Sequence, residues 1–297
     1  MTSNSQPAIM PGAPRAGRYL SFTTRPGVTP SAVIEVLQSL DMDDRLVVGI
    51  GEPLIALCSG TVPGLRTFPA LTGPGVHSPS TQQDLWCWLR GNDLGEVVNR
   101  SIDLVDALAP AFHLEESVDA FKHGDEALGR DLTGYEDGTE NPTGDEAVEV
   151  AFAEGQGQAL DGSSFVAVQQ WVHDLRTFRS MSQDEQDLVI GRRLSDNEEI
   201  GDAPPSAHTK RTEQESFSPE AHVLRRSMPF AGPSGEGLMF VAFGHSLDAF
   251  EAQLRRMMGE EDAVTDALFR FSRPVTGGYY WCPPLESGKL NLAAIGA

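Results

Sequence analysis

The chain has 297 residues, 40% of them hydrophobic and 22% charged, enough for one large domain or two ordinary ones and too apolar for wholesale disorder. A formal net charge of −21 repels phosphate backbones and anionic membrane surfaces, so neither nucleic acid nor membrane is an expected partner. Cys58, Cys87 and Cys282 stand alone with no C-x-x-C pair, which argues against a disulfide framework or a thiolate zinc site and points to the reducing cytoplasm.

Residues 1–18 contain Pro and Ser but no apolar core, and read as a loose tail instead of a signal peptide. Arg18 to Thr24 is a predicted strand and Ser31 to Leu40 a helix by apolar spacing. Arg45 to Cys58, rich in Val, Ile and Leu, suits a buried strand. The Gly- and Pro-rich 60–80 segment is predicted loop. Asp84 to Leu89 is a strand with Trp86 and Trp88 on one face, Gly95 to Leu108 a helix closed by Pro110, and Ala111 to Lys122 another strand. The order strand, helix, strand, strand, helix, strand is that of the split βαβ, ferredoxin-like unit. A small-residue, acidic stretch at 144–161 reads as the boundary. Beyond it come a strand at Phe165 to His173, a helix at Asp184 to Gly191, strands at His222 to Phe230 and Leu238 to Gly244, and an amphipathic helix at Leu247 to Met258. A short helix in Asp262 to Arg273 leads into a last strand at Tyr279 to Trp281. The expected fold is α+β: two ferredoxin-like halves, 19–145 and 146–297, each an antiparallel sheet with helices on one face.

Three stretches carry candidate chemistry. Residues 134–142 read Gly-Tyr-Glu-Asp-Gly-Thr-Glu-Asn-Pro, a G-x-x-D-G followed by Asn-Pro. Glycines on both sides of Asp137 permit backbone angles closed to other residues, and Asn-Pro ends any regular element, so a tight loop should present Asp137 at a fixed angle. An ordinary Asp-Gly turn is the plain alternative. Strand alternation puts Arg225 and Ser227 on one face and Leu224, Arg226 and Met228 on the other. Among the seven histidines, His77 lies in a loop and His173 at a strand end, while His208 and His222 both flank the Arg225 strand; composition does not separate those two.

The 134–142 nonamer resembles the haem-site loop of the dye-decolorizing peroxidases, in particular their shorter bacterial branch. Ser164 to Thr177, Ala207-His208-Thr209-Lys210-Arg211, Leu224 to Phe230 and Phe271 to Tyr280 resemble, in order, the family's following strand, axial-histidine segment, distal-arginine strand and closing segment. The likeness is dense in the second half of the chain and rests mainly on length and pattern in the first. It implies two ferredoxin-like halves with one haem b per chain held mainly by the second. Carried over residue by residue, it makes His208 the iron ligand, with His222 the fallback. The ligand's second nitrogen needs a carboxylate, for which Asp266, just before the Phe271 segment, is the candidate, an exposed helix acid being the plain alternative for that residue. Asp137 becomes the acid–base group and Arg225 the stabiliser of developing charge. Gly138, Thr139, Glu140, Arg193, Ser227 and Phe240 are expected around the cofactor. Arg192 is the alternative to Arg193 as propionate partner, and Glu140 and Asn141 are expected at a propionate or access channel. Relatives often carry Asn where this chain has Ser227, so a hydrogen bond from that position reaches less far here.

The implied activity is reduction of hydrogen peroxide and oxidation of dyes, phenolics or other small aromatic one-electron donors through an oxoferryl intermediate, by a homo-oligomer. The acidic surface disfavours anionic dyes as natural donors. Trp86, Trp88, Trp171, Tyr279, Tyr280 and Trp281 are candidate electron relays, although core packing is the commoner fate of such aromatics. The alternatives are a haem-binding or iron-handling protein with little peroxidase turnover, disfavoured because storage needs neither Asp137 nor Arg225, and a haem-free scaffold.

Overall fold

The computed structural model describes residues 4–125 and 128–296. The first half runs β1 (Ala16–Thr24), α1 (Pro30–Ser39), β2 (Leu46–Gly51), α2 (Glu52–Leu57), a short hairpin of β3 (Leu71–Gly73) and β4 (Val76–Ser78), β5 (Leu85–Gly91), α3 (Leu94–Leu108) and β6 (Phe112–Phe121). The second runs α4 (Gly144–Ala151), β7 (Ser164–His173), α5 (Leu175–Ser180), α6 (Gln183–Ile190), α7 (His208–Arg211), β8 (Leu224–Arg225), β9 (Met228–Gly232) and β10 (Gly235–Gly244). It continues through α8 (Asp248–Met257), β11 (Ser272–Pro274), β12 (Gly278–Cys282) and a terminal hairpin of β13 (Leu285–Glu286) and β14 (Lys289–Leu290).

Local chemistry accounts for the element ends. Asp93 caps α3 by accepting from Glu96 N, and Val97, Ser101, Leu104 and Leu108 form its buried stripe at helical spacing. Ser182 and Glu185 form a capping box on α6, which ends at Gly191 in the left-handed region. The predicted long strand over 45–58 is instead β2 followed by α2, because Pro53 in the first turn preorganises a helix. The predicted strand at His222 to Phe230 splits into β8 and β9; between them the Ser227 hydroxyl accepts from Val241 N.

The two expected sheets are one. Pairing runs β7–β12–β2–β5–β1–β6–β9–β10 and returns from β10 to β7, so eight antiparallel strands close a barrel. The seams between halves are Tyr280↔Gly51 with Trp281↔Ile50, and Ala120↔Phe230. Closure leaves neither half with an unpaired edge at those seams. Strand alternation sorts the apolar residues into two cores. Tyr19, Val47, Trp86, Trp88, Val166, Phe230, Val241, Phe243 and Tyr280 pack within the ring. Leu20, Val48, Cys87, Leu89, Phe165, Ala167 and Trp281 face outward against α1, α3 and α8. Trp86, Trp88 and Trp281 are fully buried core residues.

The N-terminal segment is not a loose tail. Gln6, Ala8 and Ile9 are buried. Gln6 donates to the carbonyls of Val48 (2.9 Å) and Pro283 (3.1 Å) and accepts from Val48 N (2.9 Å). Arg90 donates to the carbonyls of Ala8, Pro11 and Gly12, and Arg226 to those of Ile9 and Met10. Neither guanidinium has a carboxylate partner among the described residues. Burial, together with the charge of Arg226, pulls Arg90 down to about 10, and burial does the same to Arg226. The expected boundary stretch also folds: α4 contributes Ala147, Val150 and Ala151 to the core within the ring. No helix among the described residues is long and apolar enough to cross a membrane.

Candidate active site

A cleft enclosing about 1530 Å³ of non-protein space, open mouth included, lies on the outer face of β7 and β10. Gln169, Trp171 and His173 from β7 and Leu238 and Phe240 from β10 form its floor, as alternate residues of a strand must. Phe250, Leu254 and Met257 of α8 and Leu268 extend an apolar wall. The 131–140 loop, Arg192, α7 and Arg225 supply the polar groups.

His208 opens α7. Its Nδ1 donates to Asp266 Oδ2 at 2.8 Å, the imidazole 21% exposed and the carboxylate wholly buried. Asp266 is itself fixed, since its other oxygen accepts from Leu268 N at 2.8 Å and its backbone N–H donates to Met257 O. The bond to Asp266 selects the tautomer that leaves Nε2 as an acceptor. His208 Nε2 has no protein partner among the described residues. The helix is pinned at its far end by Arg211, whose guanidinium bonds Asp262 at 2.8 and 2.9 Å. Gly191 makes room for it: at φ +94 it already needs glycine, and a Cβ there would sit 2.0 Å from Thr209 Oγ1.

Asp137 and Arg225 also line this cleft, with Arg225 Nη2 3.3 Å from Asp137 Oδ1 and the two side chains 24% and 20% exposed. A partly solvated pair of this kind is worth about 0–1 kcal/mol, too little to hold its own geometry. The backbone does that. Asp137 N donates to Gly129 O, and Gly138 (φ +88) turns the chain so that Asn141 N donates to Gly138 O. The Asn141 side chain then bonds both backbone polar groups of Arg225. On the other side Asn197 donates to Glu136 Oε2 and Thr139 Oγ1, both at 3.0 Å.

The remaining expected residues divide. Thr139, Glu140 and Phe240 line the cleft, Gly138 is the buried turn residue, and Asp266 sits behind His208. Arg193 turns away: it pairs with Asp196 at 3.2 Å at the surface, and the neighbouring Arg192 lines the cleft, paired with Glu140 and Glu199. A one-residue change reverses direction in the extended stretch where Arg192 bridges Glu199. Ser227 is buried on the Val241 amide and does not reach the cleft. Asn141 does not line this cleft, being committed to Arg225. His222 bonds Glu220 outside the cleft.

Several lining residues carried no sequence signal. Gln214 donates to Glu140 O and accepts from Val223 N, tying the loop to the approach of β8. His173 is engaged through both ring nitrogens, by Ser272 Oγ at 2.7 Å and Asp131 Oδ2 at 3.1 Å. Burial alone would raise the Asp131 carboxyl, but the hydrogen bond from His173 and those from Thr133 outweigh it and hold it below the usual carboxylate range. A depressed folded-state value adds stability above the usual carboxylate range, and this is lost as pH falls through the folded value. Asp131→Asn should therefore cost about 1–3 kcal/mol near neutrality. In urea unfolding at successively lower pH the gap between variant and wild type should narrow; a gap that widens in acid would contradict this.

The family described as "Dyp-type peroxidase, C-terminal" matches residues 129–287, more than half of the chain. The chain belongs to the Dyp-type peroxidase family. It is therefore a peroxidase, an oxidoreductase. The dye-decolorizing peroxidase of Rhodococcus erythropolis is 33% identical to this peroxidase over 248 residues, 81% of this chain and 72% of that protein. A variant of Rhodococcus jostii RHA1 DypB in complex with heme superposes with a TM-score of 0.84 at 27% identity, covering 93% of this peroxidase and 95% of that chain. The encapsulated DyP-type peroxidase of Mycobacterium smegmatis, solved by cryo-EM, gives a TM-score of 0.82 at 27% identity, over 95% and 96% of the two chains.

Proposed function

We propose that this peroxidase holds one haem b in the cleft through His208 and activates hydrogen peroxide with Asp137 and Arg225. The observation that carries the reading is the meeting, in one cleft, of an imidazole fixed by a buried carboxylate and an acid–guanidinium pair. The donor set fits the cofactor: a free imidazole nitrogen, an apolar slot of Leu238, Phe240, Phe250, Leu254 and Met257, and a basic group at the mouth.

When bound, haem supplies a ferric iron that lets peroxide be reduced by two electrons and replaces them singly from donors. His208 is assigned as its ligand through Nε2, and Asp266 keeps the ring oriented and electron-rich. Asp137 would accept the proton from one oxygen of hydrogen peroxide and return it to the other, which would depart as water, the two electrons for that reduction being those the bound haem would supply. Arg225 stabilises the negative charge that develops as the O–O bond breaks. The apolar slot keeps bulk water away, which strengthens both effects. Arg192, lining the cleft, is the proposed partner of a propionate carboxylate, which would take the place of Glu140 or Glu199 on its guanidinium. Small aromatic compounds are the expected electron donors. A haem carrier with little turnover is not favoured, since it has no use for the Asp137–Arg225 pair.

The expected halves, 19–145 and 146–297, are read as ferredoxin-like. Strand orders β6–β1–β5–β2 and β9–β10–β7–β12 within the ring support this. Homo-oligomeric assembly is supported by the encapsulated relative, and a cytoplasmic site by three free thiols.

Asp137→Ala and Arg225→Ala are each expected to slow the reaction with peroxide by about 10²–10³-fold while haem absorbance stays intact. Stopped-flow mixing with peroxide measures this, and wild-type rates in both variants would overturn the assignment.

A further inference from the structure

We propose that Asn141 is the positioning residue that sets Arg225 against Asp137, an inference that rests on reading those two as the peroxide-activating pair. Arg225 lies on β8, which pairs with β10 through Ala242. Its backbone N–H donates to Asn141 Oδ1 at 2.7 Å, and its carbonyl accepts from Asn141 Nδ2 at 3.2 Å. One planar carboxamide thus occupies both polar groups of a single residue, as a neighbouring strand would. Two bonds on one rigid plane fix rotation as well as distance, which one bond cannot do.

Asn141 is itself anchored to the loop that carries Asp137. Its N–H donates to Gly138 O at 3.0 Å, and Gly138 is the residue after Asp137. A Cβ on Gly138 would come 2.6 Å from Asn141 Nδ2, so the carboxamide packs against the bare Cα of that turn. The connection from the Asp137 backbone to the Arg225 backbone therefore runs Asp137, Gly138, Asn141, Arg225, with no side chain in it except the short Asn141, and so fixes where the two functional side chains start. Pro142 follows and denies the loop a helical continuation. Asn141 does not line the cleft, so it acts through Arg225 and not on peroxide or cofactor.

The test is a double-mutant cycle on the haem-loaded full chain, reading the stopped-flow rate with hydrogen peroxide. Asn141→Ala is expected to lower that rate by about ten- to a hundredfold at unchanged haem content. In an Arg225→Ala background the same substitution is expected to change the rate by less than about twofold, because nothing remains to be positioned. A general loss of fold would lower the rate in both backgrounds alike. Asn141→Asp, which keeps the shape and the acceptor and loses the donor, gives the same comparison if the alanine variant does not fold. An Asn141→Ala rate equal to wild type, or a full loss persisting in the Arg225→Ala background, overturns the proposal. A wild-type rate in Arg225→Ala alone would sink the parent reading of the pair, which separates the two failures.

Discussion

His208→Ala is expected to leave a folded chain that no longer retains haem through purification and has lost peroxidase turnover. The imidazole is the only group in the apolar cleft with a bonded, buried carboxylate on one nitrogen and no protein partner on the other, among the described residues. Loss of an outer partner of a metal ligand typically costs 10–100-fold in affinity or activity. Removing the ligand itself should cost more, whereas Asp266→Asn should fall within about that range. Haem content per chain, read from absorbance after gel filtration, separates the two variants. His208 lies at the start of a four-residue helix held by Arg211 and Asp262, so truncating its ring leaves that anchorage intact. Stoichiometric haem with wild-type turnover in His208→Ala would move the ligand elsewhere. The other neighbour of the Arg225 strand, His222, would be a poor successor, because its Nε2 is bonded to Glu220 outside the cleft.

Removal of residues 1–12 is expected to lower the melting temperature by about 10 °C or more. Ile9 is fully buried, and burial of such a side chain contributes about 1.5–3 kcal/mol. Val48 would lose both bonds to Gln6. Arg90 and Arg226 would lose the carbonyls that compensate two buried guanidiniums, and a buried donor left without a partner costs about 1–3 kcal/mol. For a chain of this size each kcal/mol is worth about 2–4 °C. Gln6→Ala should reproduce a fraction of the loss without shortening the chain. Differential scanning fluorimetry of both variants decides, and a truncated chain melting with the wild type would mean the segment contributes nothing.

The same segment marks where sequence reasoning stops. Ser, Pro and Gly in residues 1–18 have the composition of a loop, and nothing local records that Arg90 and Arg226, far along the chain, require its carbonyls. Strand alternation at Trp86 and Trp88 and apolar spacing at Leu104 and Leu108 were readable, because their burial follows from period alone. Closure of the ring was not, since pairing Ala120 with Phe230 is a tertiary event. Within the cleft, the placement of His208, Asp137 and Arg225 followed the family motifs. The choice between Arg192 and Arg193 did not, because adjacent residues of identical chemistry differ only in the direction the backbone gives them. Asn141 was visible as a residue but not as a clamp, for its partner lies 84 positions away.

The ring also bears on how this protein comes apart. Excising either half would lay bare two strand edges, those now joined through Tyr280 with Gly51 and Ala120 with Phe230. Unpaired edge amides seek any available mate. An isolated fragment spanning 129–287 should accordingly self-associate, and the intact chain should melt in one cooperative step shared by both halves.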